Sequence, residues 1–113
     1  MPTIRKRGTD VADGAVVYPL QGSQYEYLPF NARIDIALMA DTGDTFLANV
    51  FSGSDVLMEN AQIDNLATAS PIVYPDHFTL TDVAMAGERL GIALTNNTGA
   101  VADYRVVVMI TPL

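Results

Sequence analysis

The residues of this sequence that could take part in chemistry are few and scattered. His77 is the only histidine and cysteine is absent, so one chain supplies neither a His–His pair nor a cysteine-based metal site. Asp76-His77 has the residue types of an acid–base pair, but it follows Pro75 and equally suits the start of a strand. No serine lies in a Gly-x-Ser-x-Gly or comparable context. We therefore expect a protein that is not an enzyme, with no catalytic residue, no cofactor and no metal site.

Acidic residues are frequent in the predicted loops and at the predicted strand ends. Several convergent carboxylates there would suit calcium, which takes many oxygen ligands. Asp41-Thr42-Gly43-Asp44 is too short for an EF-hand loop, and its Asp-Thr-Gly triplet, shared with aspartic proteases, is read here as a turn. We expect a solvated acidic rim, formed by Asp41, Asp44, Asp55, Glu59 and Asp64.

Two tyrosines suggest a binding surface. Tyr25 and Tyr27 alternate with polar residues along a predicted strand, so they would share one face. Such a pair can stack on sugar rings, which makes a carbohydrate-binding β-sandwich module the alternative function. The same pair can instead cover the sheet or lie in an interface between subunits.

Charge is unevenly distributed along the chain. The formal net charge is −7, and three of the six basic residues are Arg5, Lys6 and Arg7. From Gly8 onward three arginines stand against thirteen acidic residues, which gives a formal charge of −10. Because phosphates must be neutralised by Lys and Arg, nucleic acid is an unfavourable partner except through the basic N-terminus. That N-terminus either remains a solvated tail or docks on an acidic neighbour, such as a second copy of the chain.

Length and composition predict one folded domain. A chain of 113 residues, half of them hydrophobic, can bury a single core without disulfides. No run approaches the roughly 18–20 apolar residues of a membrane span. The basic N-terminus is not followed by an apolar stretch, so no secretory signal peptide is predicted.

An internal repeat dominates the pattern. Arg33–Gly43 and Arg89–Gly99 are identical at six of eleven positions, including Ile-Ala-Leu and Thr-Gly. Each copy reads as a strand that enters a tight turn, and a further hydrophobic strand follows each turn. We interpret the repeat as two related β-hairpins packed face to face.

The predicted fold is an all-β antiparallel β-sandwich of jelly-roll type with about eight strands. Residues 1–14 are predicted to form an extended basic N-terminal arm and residues 15–113 the β-sandwich domain. An immunoglobulin-like sandwich is disfavoured by the missing tryptophan and cysteines. Turn signals every 8–12 residues separate the predicted strands, which are 15–20, 24–28, 32–39, 45–51, 55–59, 77–83, 88–95 and 101–110.

The alternation of apolar residues also predicts a core and a contact surface. The closing run Ala102–Ile110 is so continuously hydrophobic that it should be buried on both faces or at a subunit contact. The predicted core is Ile34, Ile36, Leu38, Phe46, Val50, Phe78, Leu80, Leu90, Ile92, Leu94, Val106 and Val108. The interface candidates are Arg5, Lys6, Arg7, Tyr25, Tyr27, Val106, Val108 and Ile110.

A basic arm, a β-rich body and a closing segment from Gly87 to Gly99 followed by Tyr104–Val108 together resemble a known group. The chain is similar to small single jelly-roll and β-sandwich virion proteins of bacterial viruses. The resemblance implies a capsid-associated protein without catalytic residues that is assembled in the host cytoplasm and located in the virion. Its partners would be itself, as a trimer or pentamer, and other virion proteins. The acidic body fits the outside of a particle, as a decoration, spike-base or vertex component.

Overall fold

The computed structural model describes residues 3–67, 69–74 and 76–113. These residues form nine β-strands in two sheets and contain no helix, so the all-β prediction is confirmed. The strands are β1 (Thr3–Val11), β2 (Val16–Val17), β3 (Ala32–Ala40), β4 (Phe46–Ser52), β5 (Asp55–Gln62), β6 (Asp64–Asn65), β7 (Leu80–Ala84), β8 (Leu90–Asn96) and β9 (Ala102–Pro112).

Each sheet combines strands from distant parts of the chain. The first sheet has the order β1-β9-β3, and β7 and β6 both pair with the remaining edge of β3. The second sheet has the order β2-β8-β4-β5. The antiparallel pairs are nested, since β1 pairs with β9, β2 with β8, β3 with β7 and β4 with β5. Only the two-residue β6 runs parallel to its partner among the described strands.

The core lies between the two sheets. Alternate residues of the central strands point into it, as the period of two along a strand requires. Phe46 packs edge-on against Tyr104, with ring centroids 5.6 Å apart. Ten of the twelve predicted core residues are buried, and the other two, Phe78 and Leu80, are half-buried.

The repeat folds differently from the predicted pair of hairpins. β3 lies in the first sheet while β4, which follows it, lies in the second, so the two do not pair. The copies instead pair crosswise, β3 with β9 and β4 with β8. Each strand has one apolar face, and a turn that carries the chain to the opposite sheet lets both faces meet in one core. The two turns contact each other, because Thr98 Oγ1 accepts a hydrogen bond from the Thr45 N–H at 2.6 Å.

Two predicted strands are reduced or lost because of local turns. Residues 24–28, predicted as a strand, form turns in which only Tyr27 makes an isolated bridge, to Arg89. Residues 15–20 shorten to the two-residue β2, since Pro19 cannot donate a ladder hydrogen bond.

Most of the predicted basic arm, residues 1–14, forms strand β1 of the first sheet. β1 runs antiparallel to β9 from Thr3, opposite Met109, to Val11, opposite Ala102. Ile4 packs on the core and Val11 is buried in it. The basic residues are therefore held on the edge of the sandwich, and removing residues 1–8 would remove most of an edge strand.

Within the described ranges, no helix has the length and apolar character needed to cross a membrane.

Candidate interaction surfaces

The outer face of the first sheet is covered by the chain itself. Ala37, Met39 and Val107 point away from the core, yet they are 0%, 3% and 4% exposed. The chain between β6 and β7, residues 66–79 (here the covering segment), runs over this side. It begins with a hydrogen bond from the Leu66 N–H to the Ala40 carbonyl and returns with one from the Thr79 N–H to the Ile36 carbonyl. Thr68 and Pro75 of this segment lie outside the described residues.

Arg105, on strand β9, binds the covering segment through its side chain. Its guanidinium donates to the carbonyl oxygens of Ser70 at 2.6 Å, Ala67 at 3.0 Å and Leu66 at 3.1 Å. Backbone carbonyls that leave a sheet need partners, and one planar guanidinium with five N–H donors supplies several at once. Arg105 therefore acts as the clamp between β9 and the covering segment.

His77 has a structural contact within the covering segment. Its Nδ1 accepts the Val73 N–H at 2.8 Å, and the His77 N–H donates to the Val73 carbonyl at 3.0 Å. Phe78 and Tyr74 stack edge-on nearby, with centroids 5.1 Å apart. These contacts close a tight turn around the only histidine.

The outer face of the second sheet is not covered in this way. Leu47 and Asn49 alternate along β4 with buried residues and are half-exposed. Val56, on the neighbouring strand, is 66% exposed. Strands β2, β4 and β8 contain no charged residue at all. We call this surface the bare face. It comprises Val16, Leu47, Asn49, Phe51, Val56, Ala93 and Thr95, in the rows that the strand register defines, and Gly91 in the same rows is buried beneath the Phe51 ring.

A small hollow lies at one end of the bare face. It has a volume of about 70 Å³ and is lined by Tyr18, Phe51, Glu26 and Arg89, among others. Arg89 Nε donates to Glu26 Oε2 at 2.9 Å, and the Gly22 N–H donates to Glu26 Oε1 at 3.0 Å. The hydrogen bond from the Gly22 N–H has the largest effect on the pKa of Glu26 and lowers it; burial opposes this, and the hydrogen bond and charge of Arg89 lower the pKa further. The hollow thus combines an exposed aromatic ring with an ion pair.

A larger groove lies on the other side of the molecule, between β1 and the covering segment. Its volume is about 270 Å³. Four of the six basic residues line it, namely Arg5, Lys6, Arg7 and Arg105. Pro71 and Ile72 line it as well. We call it the basic groove.

The structure separates several residues that the sequence grouped together. Tyr25 packs against the core and lies 6.5 Å from the Phe30 ring, whereas Tyr27 is 59% exposed. They do not share a strand face, because turns replace the predicted strand. Val106, Val108 and Ile110 are 0% exposed in the core between the sheets, so the folded chain does not present them to a partner. The sequence predicted either burial on both faces or a subunit contact for the closing strand, and these three residues are buried within the chain.

The loop carboxylates are also dispersed. Asp44 Oδ2 accepts the Asp103 N–H at 3.0 Å and Asp41 Oδ1 accepts the Thr42 N–H at 2.9 Å, so both stabilise turns. Asp55, Glu59 and Asp64 are exposed on or beside β5. Across the described ranges, no three His, Cys, Asp or Glu side chains are grouped as a metal ion would require.

Comparison of the chain with protein-family models, with curated proteins and with solved structures gave no match. The surfaces above are therefore interpreted from their own chemistry. Sequence reasoning missed two of their features, the clamp formed by Arg105 and the bare face. The second had a readable signal, since the predicted strand 45–51 contains no charged residue and the predicted strand 88–95 contains none after Arg89.

Proposed function

We propose that this chain is a structural protein of a bacterial virus, a capsid-associated, decoration or vertex component that assembles with itself and with other virion proteins. The observation that carries the proposal is the bare face. Contiguous apolar surface on a small domain marks an interaction site. Copies that each carry a net charge of −7 repel one another except where their surfaces lack charge. The bare face is such a surface, and a second copy is its occupant, in a trimer or a pentamer.

The finer assignment of the fold, a jelly roll, belongs to the same proposal. When one long antiparallel hairpin is rolled into two sheets, its first strand pairs with its last strand, its second strand with its second-last strand, and so on inward. The pairs β1–β9, β2–β8, β3–β7 and β4–β5 follow this order. Jelly rolls of eight strands recur in viral capsid proteins and in lectins. The fold thus favours a virion protein and keeps a carbohydrate-binding module as the alternative.

A matched pair of substitutions tests assembly through the bare face. Val56→Glu places a carboxylate on the bare face at a residue that is 66% exposed, and Val101→Glu places one in a loop at a residue that is 62% exposed. We expect Val56→Glu to weaken self-association by about tenfold or more, because a buried charge without a partner opposes contact. Val101→Glu should associate like the parent protein. Sedimentation velocity measures both, and negative-stain electron microscopy should show regular oligomers of the parent.

A glycan array distinguishes the alternative function. Tyr18 is 55% exposed and lines the hollow with Phe51, Glu26 and Arg89. An aromatic ring beside paired polar groups suits a sugar. A carbohydrate-binding module would be a monomer whose glycan binding is lost in Tyr18→Ala. A virion protein of the kind proposed would be oligomeric and would bind no glycan.

We further propose that the protein has no catalytic activity. The proposal starts from His77, the only histidine of the sequence, whose contact with Val73 closes a turn of the covering segment. A hydrolase screen is expected to show no turnover. Turnover that disappears in His77→Ala would contradict the proposal.

A further inference from the structure

The cations of β1 lack internal partners within the described chain. Arg33 pairs with Asp35 at 3.3 Å, Arg89 pairs with Glu26 at 2.9 Å, and Arg105 is bound to three carbonyls. Arg5, Lys6 and Arg7 are exposed and make no ion pair with a described residue. Thirteen acidic residues are present in the same chain. An attractive partner for these cations is therefore abundant in a second copy.

The strand that carries these cations is a sheet edge. β1 pairs with β9 on one side, and its other side pairs with no described strand. Regular pairing with β9 continues from Thr3 to Gly8 and is then interrupted by a bulge, where Asp10 has a φ of 54°. Residues 3–8 thus present unused backbone donors and acceptors, a template that another strand can join. Charged side chains on such an edge repel strands of the same sign and accept strands of the opposite sign.

The opposite edge of the sandwich has the complementary charge. β5 is the edge strand of the second sheet, and its only charged residues are Asp55 and Glu59, both exposed. Ile63 alone separates β5 from β6, which pairs with β3 on the side away from β1. β1 and β5 therefore lie on opposite sides of one molecule and cannot pair within it. Between molecules they can pair head to tail, which closes a ring or extends a filament.

We propose that the edge of β1, with the basic groove beside it, receives strand β5 of a second copy. The proposal rests on the self-association proposed above but uses a strand edge, which adjoins the bare face at Val56. Asp55 and Glu59 supply the carboxylates, and the groove of about 270 Å³ receives their side chains beside Arg5 and Arg7. Nucleic acid fits this groove less well, since four cations in a chain of net charge −7 neutralise few phosphates.

Charge exchange between the two edges tests the pairing. The variant Arg5→Glu/Arg7→Glu makes both edges acidic, and Asp55→Lys/Glu59→Lys makes both edges basic. Each variant alone should lose head-to-tail association by about tenfold or more at low salt, because the facing edges repel. Mixed in equal amounts, they should associate again, since every contact between unlike copies is then attractive. The chain with all four substitutions keeps the net charge and should associate like the parent.

The readout is the weight-average mass by sedimentation equilibrium, with circular dichroism to confirm that each variant is folded. Asp76→Lys, at an exposed residue outside β1 and β5, is the control for a changed net charge, and it should leave association unchanged. In about 1 M salt the differences between the variants should shrink, since screening weakens exposed charge pairs.

The outcomes separate this proposal from the proposed function. Ala93 lies on β8, so Ala93→Glu alters the bare face without touching β5. If the mixture stays dissociated while Ala93→Glu weakens assembly of the parent, the β1–β5 contact is overturned and the bare face stands. If the mixture associates while Ala93→Glu has no effect, the bare face is overturned and the β1–β5 contact stands. If only Arg5→Glu/Arg7→Glu changes behaviour, by losing affinity for a short DNA duplex that the parent binds, the groove is a phosphate site and the proposal fails.

Discussion

The outer faces of the two sheets differ although they are built on copies of one repeat. Ala37 and Ala93 occupy the same position of the two copies, and both point away from the core. Ala37 is 0% exposed beneath the covering segment, whereas Ala93 is half-exposed on the bare face. Met39 and Thr95, the next outward pair, differ in the same way.

The difference shows which surface the chain completes by itself. The first sheet has a clamp, Arg105, and a segment of the chain that buries its outer residues. The second sheet has neither, and its strands β2, β4 and β8 contain no charged residue. Apolar surface that a chain does not cover gains stability when a partner covers it.

The largest effect on folding should come from a charge beneath the covering segment. Ala37→Glu either leaves a buried carboxylate unpaired or withdraws Arg105 from its carbonyls, and it overpacks the face. We expect it to lower the free energy of unfolding by about 3 kcal/mol, measured by urea denaturation. Ala93→Glu, the same change at the matched position, should cost less than about 1 kcal/mol. Equal costs would show that the two faces are equally covered.

Removing the clamp should have the next largest effect. Arg105→Ala leaves three carbonyls without their donor, and we expect a loss of about 2 kcal/mol in unfolding free energy. The amide protons of Val73 and His77 should exchange faster, because the covering segment then opens without global unfolding. Arg7→Ala is the control, since Arg7 lies opposite Arg105 on β1 without a described partner. A similar loss in both variants would argue against the clamp.

Substituting alanine for two glycines that lie beneath aromatic rings, one in each sheet, should have smaller effects on stability that differ between the sheets. A Cβ at Gly8 would overlap the ring of Tyr104, and a Cβ at Gly91 would overlap the ring of Phe51. Tyr104 is held in the core against Phe46, so we expect Gly8→Ala to cost about 2 kcal/mol. Phe51 is half-exposed on the bare face and can rotate away, so Gly91→Ala should cost less than about 1 kcal/mol. Thermal unfolding of the two variants gives the order, and the reverse order would contradict it.

The smallest effect concerns alkaline pH. Burial raises the pKa of Tyr104 above its ordinary value of 10.0. Its contribution to stability is therefore complete below pH about 10 and is lost as the pH rises through the raised value. The parent should lose stability more steeply than Tyr104→Phe above this pH, as measured by urea denaturation at a series of pH values. Parallel curves would place the tyrosine in a more solvated site.

Much of the sandwich is readable from the sequence, because alternation along a strand reports directly which side is buried. Ile34, Ile36 and Leu38, with their counterparts Leu90, Ile92 and Leu94, were placed in the core on that basis and lie there. The same alternation does not show which of the two sheets a strand joins. A turn such as Asp41–Asp44 can join neighbours in one sheet or carry the chain to the other, and the partner of β4 is β8, about forty residues away.

The surfaces were harder to predict for a related physical reason. Tyr25 and Tyr27 were paired by alternation, but Pro29 and the turns before it removed the strand that would align them. Arg105 gave no sign of its role, because its acceptors are backbone carbonyls, which every sequence contains. The basic residues of β1 were recognised as a cluster, whereas their position on a sheet edge depends on pairing with β9 at the far end of the chain.

The association state of Ala93→Glu tests the central claim most directly, since it changes one residue in the middle of the bare face. Sedimentation equilibrium at high protein concentration, in low and in high salt, should give an oligomer for the parent and a folded monomer or a much weaker oligomer for the variant. A parent that stays monomeric under both conditions, or a variant that assembles as well as the parent, would contradict the claim that the bare face is where copies of this protein meet.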